Sequence, residues 1–506
     1  AGDALTDADF NVVLGAFALT ADTLGSKSTA IGAAALASQN FTTATDSLNT
    51  AVGFSAGKEV TTGTNNTLMG ANTGDALTIG VDNVALGRSS LTTDVAGKYS
   101  VAIGSSALES QNFTTATDSY NVAVGFKAGE KVTTGFQNTI VGGLAGDALT
   151  DADFNVAIGM QALSADTLGS QTTAVGVAAL ASQNFTTATN SINTALGYYA
   201  GANVTTGTAS TFIGAHAADA ITSGINNTAV GTFALSADTL GNFSVAVGNG
   251  ALQVQNFTTS TNSYNTAVGY NAGKLLTTGT FNTFIGADTG LAAVTGDVNT
   301  CVGYGAGQVV TSGSSNTAVG DRAGFALTTG SNNLILGNDA GRTGSPGGNL
   351  TSENNEICLG DENISTAVIQ VSFTVTSDER DKTDFVDLDL GLDFVKALEP
   401  VTYYWDKRSK YGDKYAEDYD LDAQTPDGTH KEDWMDIGFK AQSVRDLEEA
   451  AGYKQSDKKN LTVTLTPDGK QYGLKYERFI PILVKAIKDQ DAIITALTDR
   501  IAALEG

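Results

Sequence analysis

One spacing dominates this sequence. A five-residue motif, Asn-(Thr/Val)-Ala-(Val/Ile)-Gly with variants, ends at Gly15, Gly32, Gly53, Gly70, Gly87 and Gly104, and it continues to Gly337 and Gly360. The steps run 17, 21, 17, 17 and 17 residues, and three steps of 17 with one of 21 close a period of 72. A second motif, "QNFTT", keeps that period at Gln39, Gln111, Gln183 and Gln255. After Gly269 the steps stay at 17 until a last step of 23, from Gly337 to Gly360. A fixed internal period means that one structural unit is stacked on copies of itself.

The unit is a β coil. Gly, Thr, Asn and Val are poor helix formers, and no 3.6-residue period is sustained. The motif alternates, so its second and fourth residues face one way and its Ala the other. A further stretch, often "TTG" or "LG", closes each unit. The pattern predicts a β-solenoid coil of two short strands, with Gly supplying positive φ at the corners. Stacked coils place Asn over Asn and Val over Val. The extra four residues in "ASQNFTTATDS" should bulge outward. About 20 coils at roughly 4.8 Å each predict a rod of roughly 95 Å. A single coil has a thin core, in which the Val/Ile/Leu pair and a few Ala and Phe are interior. The remaining Ala-lined face calls for cover, which predicts parallel chains bundled round an axis. Recurrent acids such as Asp166 in "ADTLG" read as solubilisers at the corners.

The character changes near residue 376. Lys and Arg number 9 against 26 Asp and Glu up to Thr376, and 19 against 28 beyond it. The net charge of −26 argues against nucleic acid, which needs a basic footprint. No apolar run approaches the roughly 18 residues of a membrane span. Cys301 and Cys358 read as buried thiols, not as a disulfide framework. His216 and His430 are too few and too distant for a conventional metal site, and no cofactor is expected. The opening "AGDALTDADFNV" recurs at Ala145–Val156, so the start lies inside a repeat and an anchoring region is expected upstream.

Two resemblances follow. "NTAVGYNAGKLLTTGTFNTFIGADTG", Asn265–Gly290, resembles the head repeats of trimeric autotransporter adhesins and similar phage fibre repeats, which implies a trimeric left-handed parallel β-roll. Further on, "TSDERDKTDF", "LDFVKALEPVTYYWD", "IGFKAQSVRDLEE" and a long terminal helix follow in order. These blocks resemble the C-terminal intramolecular chaperone of phage tailspikes and tail fibres, a self-cleaving peptidase. Ser377, Asp378, Arg380 and Lys382 match its opening signature. Pro400, Val401 and Tyr403 match the second block, and Gly438, Phe439, Ala441 and Gln442 the third. The resemblance implies cleavage between Thr376 and Ser377 by a Ser377–Lys382 dyad, with no metal and no activity on other substrates. It also implies four parts: a repeat shaft over 1–360, a junction over 361–376, a chaperone over 377–479 and a coiled-coil helix over 480–506. Asp381 departs from the apolar residue common there and favours a charged Lys382. The acidic insertion Lys407–Trp434 is a candidate for an arm that embraces the shaft.

The chemistry has a physical condition. A serine hydroxyl needs a base, and a lysine serves only when neutral, which at a pKa of about 10.4 is rare at pH 7. Burial in an assembled pocket would meet that condition and tie cleavage to assembly. The plainer reading makes Ser377 the cap of a helix beginning at Asp378. From Ile480 the chain runs in heptads. Ile480, Ile487, Ile494 and Ile501 occupy a, and Leu483, Gln490, Leu497 and Leu504 occupy d. Ile at a with Leu at d leans towards two strands, whereas the resemblance and the bundled shaft imply three. The alternative is a helix packed on its own domain.

Together these features predict a mostly β, trimeric phage tail fibre in the virion. It would bind a host receptor, a glycan or an outer-membrane component, and other tail proteins through the region upstream. A polysaccharide-degrading tailspike would need paired carboxylates at a defined separation. A cell-surface trimeric adhesin would carry a C-terminal membrane anchor, where this chain reads as a polar coiled coil. An ice-binding solenoid would need a flat Thr-x-Thr array.

Overall fold

The computed structural model describes residues 1–370, 373–414, 416 and 418–506. The chain divides into two compact units, Ala1–Ser314 and Ser315–Gly506.

The first unit is a β-solenoid. Three-residue strands, one per coil, run from Val12–Leu14 to Thr300–Val302. Neighbouring strands pair in parallel, Val12 opposite Thr29, Thr29 opposite Thr50, Thr50 opposite Thr67. The 21-residue step therefore keeps the register of the 17-residue steps. Its extra residues leave the sheet, as expected: Thr42, Thr43 and Ala44 are exposed, while Phe41 turns inward. Two expectations are corrected. The second strand is not a feature of every coil. It exists as two-residue pairs only beside each long step, as in Gly25–Ser26 with Thr45–Asp46. Elsewhere the coil turns through left-handed residues such as Leu36 and Ser55. The faces of the motif are also reversed. Ala30, Ala51, Ala85 and Ala102 are fully buried, and the β-branched or long side chains beside them look outward. Alanine is the usual inward residue of this narrow coil, and Leu68, Ile140, Phe212 and Phe284 fill the same position in the coils that enclose a larger side chain.

The interior is held by amide ladders. The motif asparagine is buried in coil after coil. Asn49 Oδ1 accepts from the Asn66 backbone N–H at 2.9 Å, and Asn49 Nδ2 donates to the Gly63 carbonyl at 2.8 Å. Asn66 repeats both bonds to Asn83 and Gly80. Ahead of each long step the position holds a smaller residue, Ser28, Ser100, Thr172 or Ser244. There the glutamine of "QNFTT" enters the gap. Gln39 Nε2 donates to Ser28 Oγ at 2.9 Å and Asp22 Oδ2 at 2.6 Å, and its Oε1 accepts from Asn49 Nδ2 at 2.9 Å. The same bridge recurs at Gln111, Gln183 and Gln255.

The acids of "ADTLG" and its variant are accordingly not solubilisers. Asp22, Asp94, Asp166 and Asp238 are fully buried. Asp94 accepts from Gly97 N, Phe113 N and Gln111 Nε2. Burial pushes the carboxyls of Asp94, Asp166 and Asp238 above the usual carboxylate range, against the pull of these donors. Motif-final glycines are required by contact as well as by angle. Gly53 has φ +140°, and a Cβ on it would lie 2.3 Å from the Gly70 carbonyl oxygen. Cys301 is a buried free thiol, pushed up to about 12 by burial.

The second unit begins with more coils, whose strands Thr317–Val319, Leu334–Leu336 and Ile357–Leu359 pair in parallel. Cys358 is buried there as a free thiol. Among the described residues three α-helices follow: α1 (Leu392–Ala397), α2 (Ala441–Ala450) and α3 (Phe479–Glu505). Val401–Tyr403 pairs antiparallel with Asp436–Gly438, and Val463–Leu465 with Tyr472–Leu474. Leu390, Phe394, Val444, Val463, Phe479 and Ile482 form the core.

Asn138→Ala tests the ladder. It strips the acceptor from the Asn155 N–H and the donor from the Ala152 carbonyl. Two buried groups left unpaired should cost about 2 kcal/mol or more, read by thermal or urea unfolding. Thr62→Ala on the exposed surface should stay within about 0.5 kcal/mol.

Candidate functional site

The segment before α1 carries the candidate residues. Residues 373–387 are exposed, and their regular structure is one turn of 3-10 helix, Glu379–Asp381. That turn is capped by Asp378, whose carboxylate accepts from the Arg380 N–H at 2.9 Å. Ser377 is therefore not the cap. The Arg380 guanidinium pairs with Asp378 at 2.6 Å and holds its carboxyl below the ordinary value.

The turn returns the chain so that Lys382 faces Ser377. Lys382 Nζ donates to Ser377 Oγ, and to the Ser377 carbonyl at 3.3 Å. A five-residue separation becomes contact because one tight turn spans it. Among the described residues Asp381 makes no ion pair with Lys382. Both members of the contact are open to water in the single chain, so the dry surroundings that a lysine base requires are not supplied by one copy.

Gly438, Phe439, Ala441 and Gln442 occupy a different place. Gly438 ends its strand beneath Tyr476, and a Cβ there would lie 2.3 Å from the Tyr476 hydroxyl. That hydroxyl accepts from the Phe439 N–H at 3.3 Å. The Phe439 ring stacks on Phe479, centroids 5.3 Å apart. Ala441 and Gln442 open α2. Among the described residues none of the four hydrogen-bonds to Ser377 or Lys382. They join the sheet and α2 to the root of α3.

Residues 377–453 match the model of a peptidase family described as the chaperone of endosialidase. These residues form a chaperone-of-endosialidase domain. The matched span starts at Ser377. With the β-solenoid before it, the domain fits a phage tail fibre or tailspike with a C-terminal chaperone, and the family implies a self-cleaving intramolecular chaperone. No curated protein and no solved structure matches the chain.

Past the matched span, α3 has two faces. Phe479, Ile482 and Ala486 are buried in the domain core. Asp489 caps α1 by accepting from the Leu392 N–H at 3.1 Å. The expectation of a helix packed on its own domain holds for its start. Its first turns pack on their own domain, while the heptad residues Ile480, Ile487, Ile494, Leu497 and Ile501 are exposed. No helix among the described residues is long and apolar enough to cross a membrane.

Of the insertion Lys407–Trp434, in which 415 and 417 lie outside the described residues, the end returns to the start: the Glu432 N–H donates to the Trp405 carbonyl at 2.8 Å and the Gly428 N–H to Asp406 Oδ2 at 2.9 Å. Sequence reasoning passed over Lys414, which lies in that insertion and pairs with residues of the last coils. It also passed over Tyr476 and Asp489.

Gly438→Ala should destabilise the chaperone domain by about 1–3 kcal/mol through collision with Tyr476. Adding Tyr476→Phe should recover part of that loss. A double-mutant cycle by thermal unfolding reads the coupling; strictly additive effects would contradict the contact.

Proposed function

We propose that this chain is a structural, receptor-binding phage tail fibre. Its C-terminal domain drives homotrimerisation and folding of the solenoid, then severs itself between Thr376 and Ser377. The contact from Lys382 Nζ to Ser377 Oγ carries the reading. The fibre would act in the virion, meet a glycan or another outer-surface component of the host, and attach to other tail proteins through a region upstream.

The proposed step balances within one chain. Ser377 Oγ attacks the Thr376 carbonyl carbon, and a neutral Lys382 amine takes its proton. The Thr376–Ser377 C–N bond breaks as that proton passes to the leaving amine, which leaves an ester on Ser377. Water then cleaves the ester, giving a Thr376 carboxylate and a Ser377 amine. Neutral lysine requires desolvation, and exposed residues 373–387 gain it when further copies pack around them. Cleavage would therefore report assembly, once per chain, and no activity on other substrates is expected.

Two exposed apolar surfaces support trimerisation. One is the heptad face of α3. The other is the outward ladder of the motif's fourth residue, which includes Leu14, Met69, Leu196 and Ile285 in the first unit. Continuous apolar surface of this kind marks an association site.

Ser377→Ala and Lys382→Ala should each leave an uncut chain on denaturing electrophoresis, while the parent yields pieces ending at Thr376 and starting at Ser377. Cleavage of Ser377→Ala at the parent rate would sink the assignment. A chain stopped at Thr376 should aggregate, because pairing distant copies spends chain entropy before contacts repay it. A soluble β-rich trimer formed as efficiently as by the full chain would remove the chaperone role.

A further inference from the structure

The last step of the repeat, 23 residues from Gly337 to Gly360, is longer than every other step, and the function proposed above leaves it unexplained. The added length is the loop "RTGSPGGNL", residues 342–350, and it meets the chaperone domain. Gly344 has φ +94°, and a Cβ on it would lie 2.7 Å from the Ser409 Cβ. Gly348 has φ +70°, and its Cβ would fall 2.7 Å from the Thr466 Cβ. The Asn349 N–H donates to Asp468 Oδ2 at 3.0 Å. Both glycines sit where any side chain would push the two surfaces apart.

Beside the loop lies a charged lock. Lys414 reaches Glu362 Oε1 at 2.7 Å, Asp339 Oδ2 at 3.2 Å and Asp361 Oδ2 at 4.0 Å. The Asp339 side chain is only 2% exposed and that of Glu362 6%. Arg342 pairs with Asp339 at 2.9 Å. Lys407 Nζ donates to the Glu362 carbonyl at 3.0 Å and pairs with Glu432 at 3.3 Å. Every group on one side of this contact precedes Thr376, and every group on the other follows Ser377. A cut at 376–377 breaks none of these interactions.

We propose that severing the chain at Thr376–Ser377 leaves the chaperone docked on the last coils, held by the 342–350 loop and the Lys414 lock, so that cleavage and release are separate events. The inference rests on the self-cleavage reading for its setting, but the dock stands without it. Lys414 is the central cation. Without it Asp361 and Glu362 would lose their shared cation in a water-poor interface, while Asp339 keeps Arg322 and Arg342, and the docked state would be penalised.

The test uses the full chain with Ser377→Ala and a site-specific protease sequence replacing residues 365–370, which are exposed. Added protease then makes the cut, whatever Ser377 can do. Gel filtration at about 0.15 M salt should keep the two pieces in one peak. Lys414→Met should speed their separation at least about tenfold, whereas Lys414→Arg should retain them. Gly348→Val should release them from the other side of the contact. Pieces that part as soon as the otherwise unaltered dock is cut overturn the proposal. So do pieces that stay together in both Lys414→Met and Gly348→Val. If the parent chain never cuts itself, the self-cleavage reading fails while this experiment still gives its answer.

Discussion

Nearly every coil is held to the next by a buried amide. The motif asparagine accepts from one backbone N–H and donates to one carbonyl of the following coil, as Asn49 does to Asn66 and Gly63. In a coil this narrow there is little apolar volume to bury, and the interior residue of the strand is usually alanine. Side-chain amides therefore take over part of the work that a thicker core would do, and they satisfy backbone groups that would otherwise be costly to enclose. The ladder also fixes register. A strand shifted by one residue would bring Thr or Val to the amide position and leave both backbone groups unpaired.

The 72-residue period is a consequence of that ladder. A long step moves the next asparagine out of simple reach, and a serine or threonine leaves room for the glutamine that spans the gap. The buried aspartate beside it gathers two backbone N–H groups and the glutamine amide. "ADTLG" and "QNFTT" are thus two halves of one polar joint, written 17 residues apart. The cost of the same architecture is an outward apolar ladder, because residues that do not fit inside must look out. The proposed trimer answers that exposure.

Much of this was legible in the sequence. The period, the parallel stack, the outward bulge of the long step, the buried thiols and the blocks of the chaperone domain all followed from spacing or resemblance. Which face of "NTAVG" points inward did not follow. Alternation separates Ala from its neighbours without saying which side is enclosed, and the usual weight given to Val and Ile as core residues pointed the wrong way. The buried Asp166 looked like a surface acid because its partners lie in the next coil. The pairing of Lys382 with Ser377 was implied by resemblance, whereas the tight turn that joins them and its cap on Asp378 needed backbone geometry. Lys414 was hidden for the same reason as Asp166, since its partners lie more than fifty residues away.

The claim on which the account turns is that a single solenoid leaves surface that only further copies can cover. Sedimentation equilibrium of the full chain measures this directly at micromolar concentration. The account predicts a particle of three chains with no folded monomer in exchange with it. A stable, β-rich monomer would contradict it.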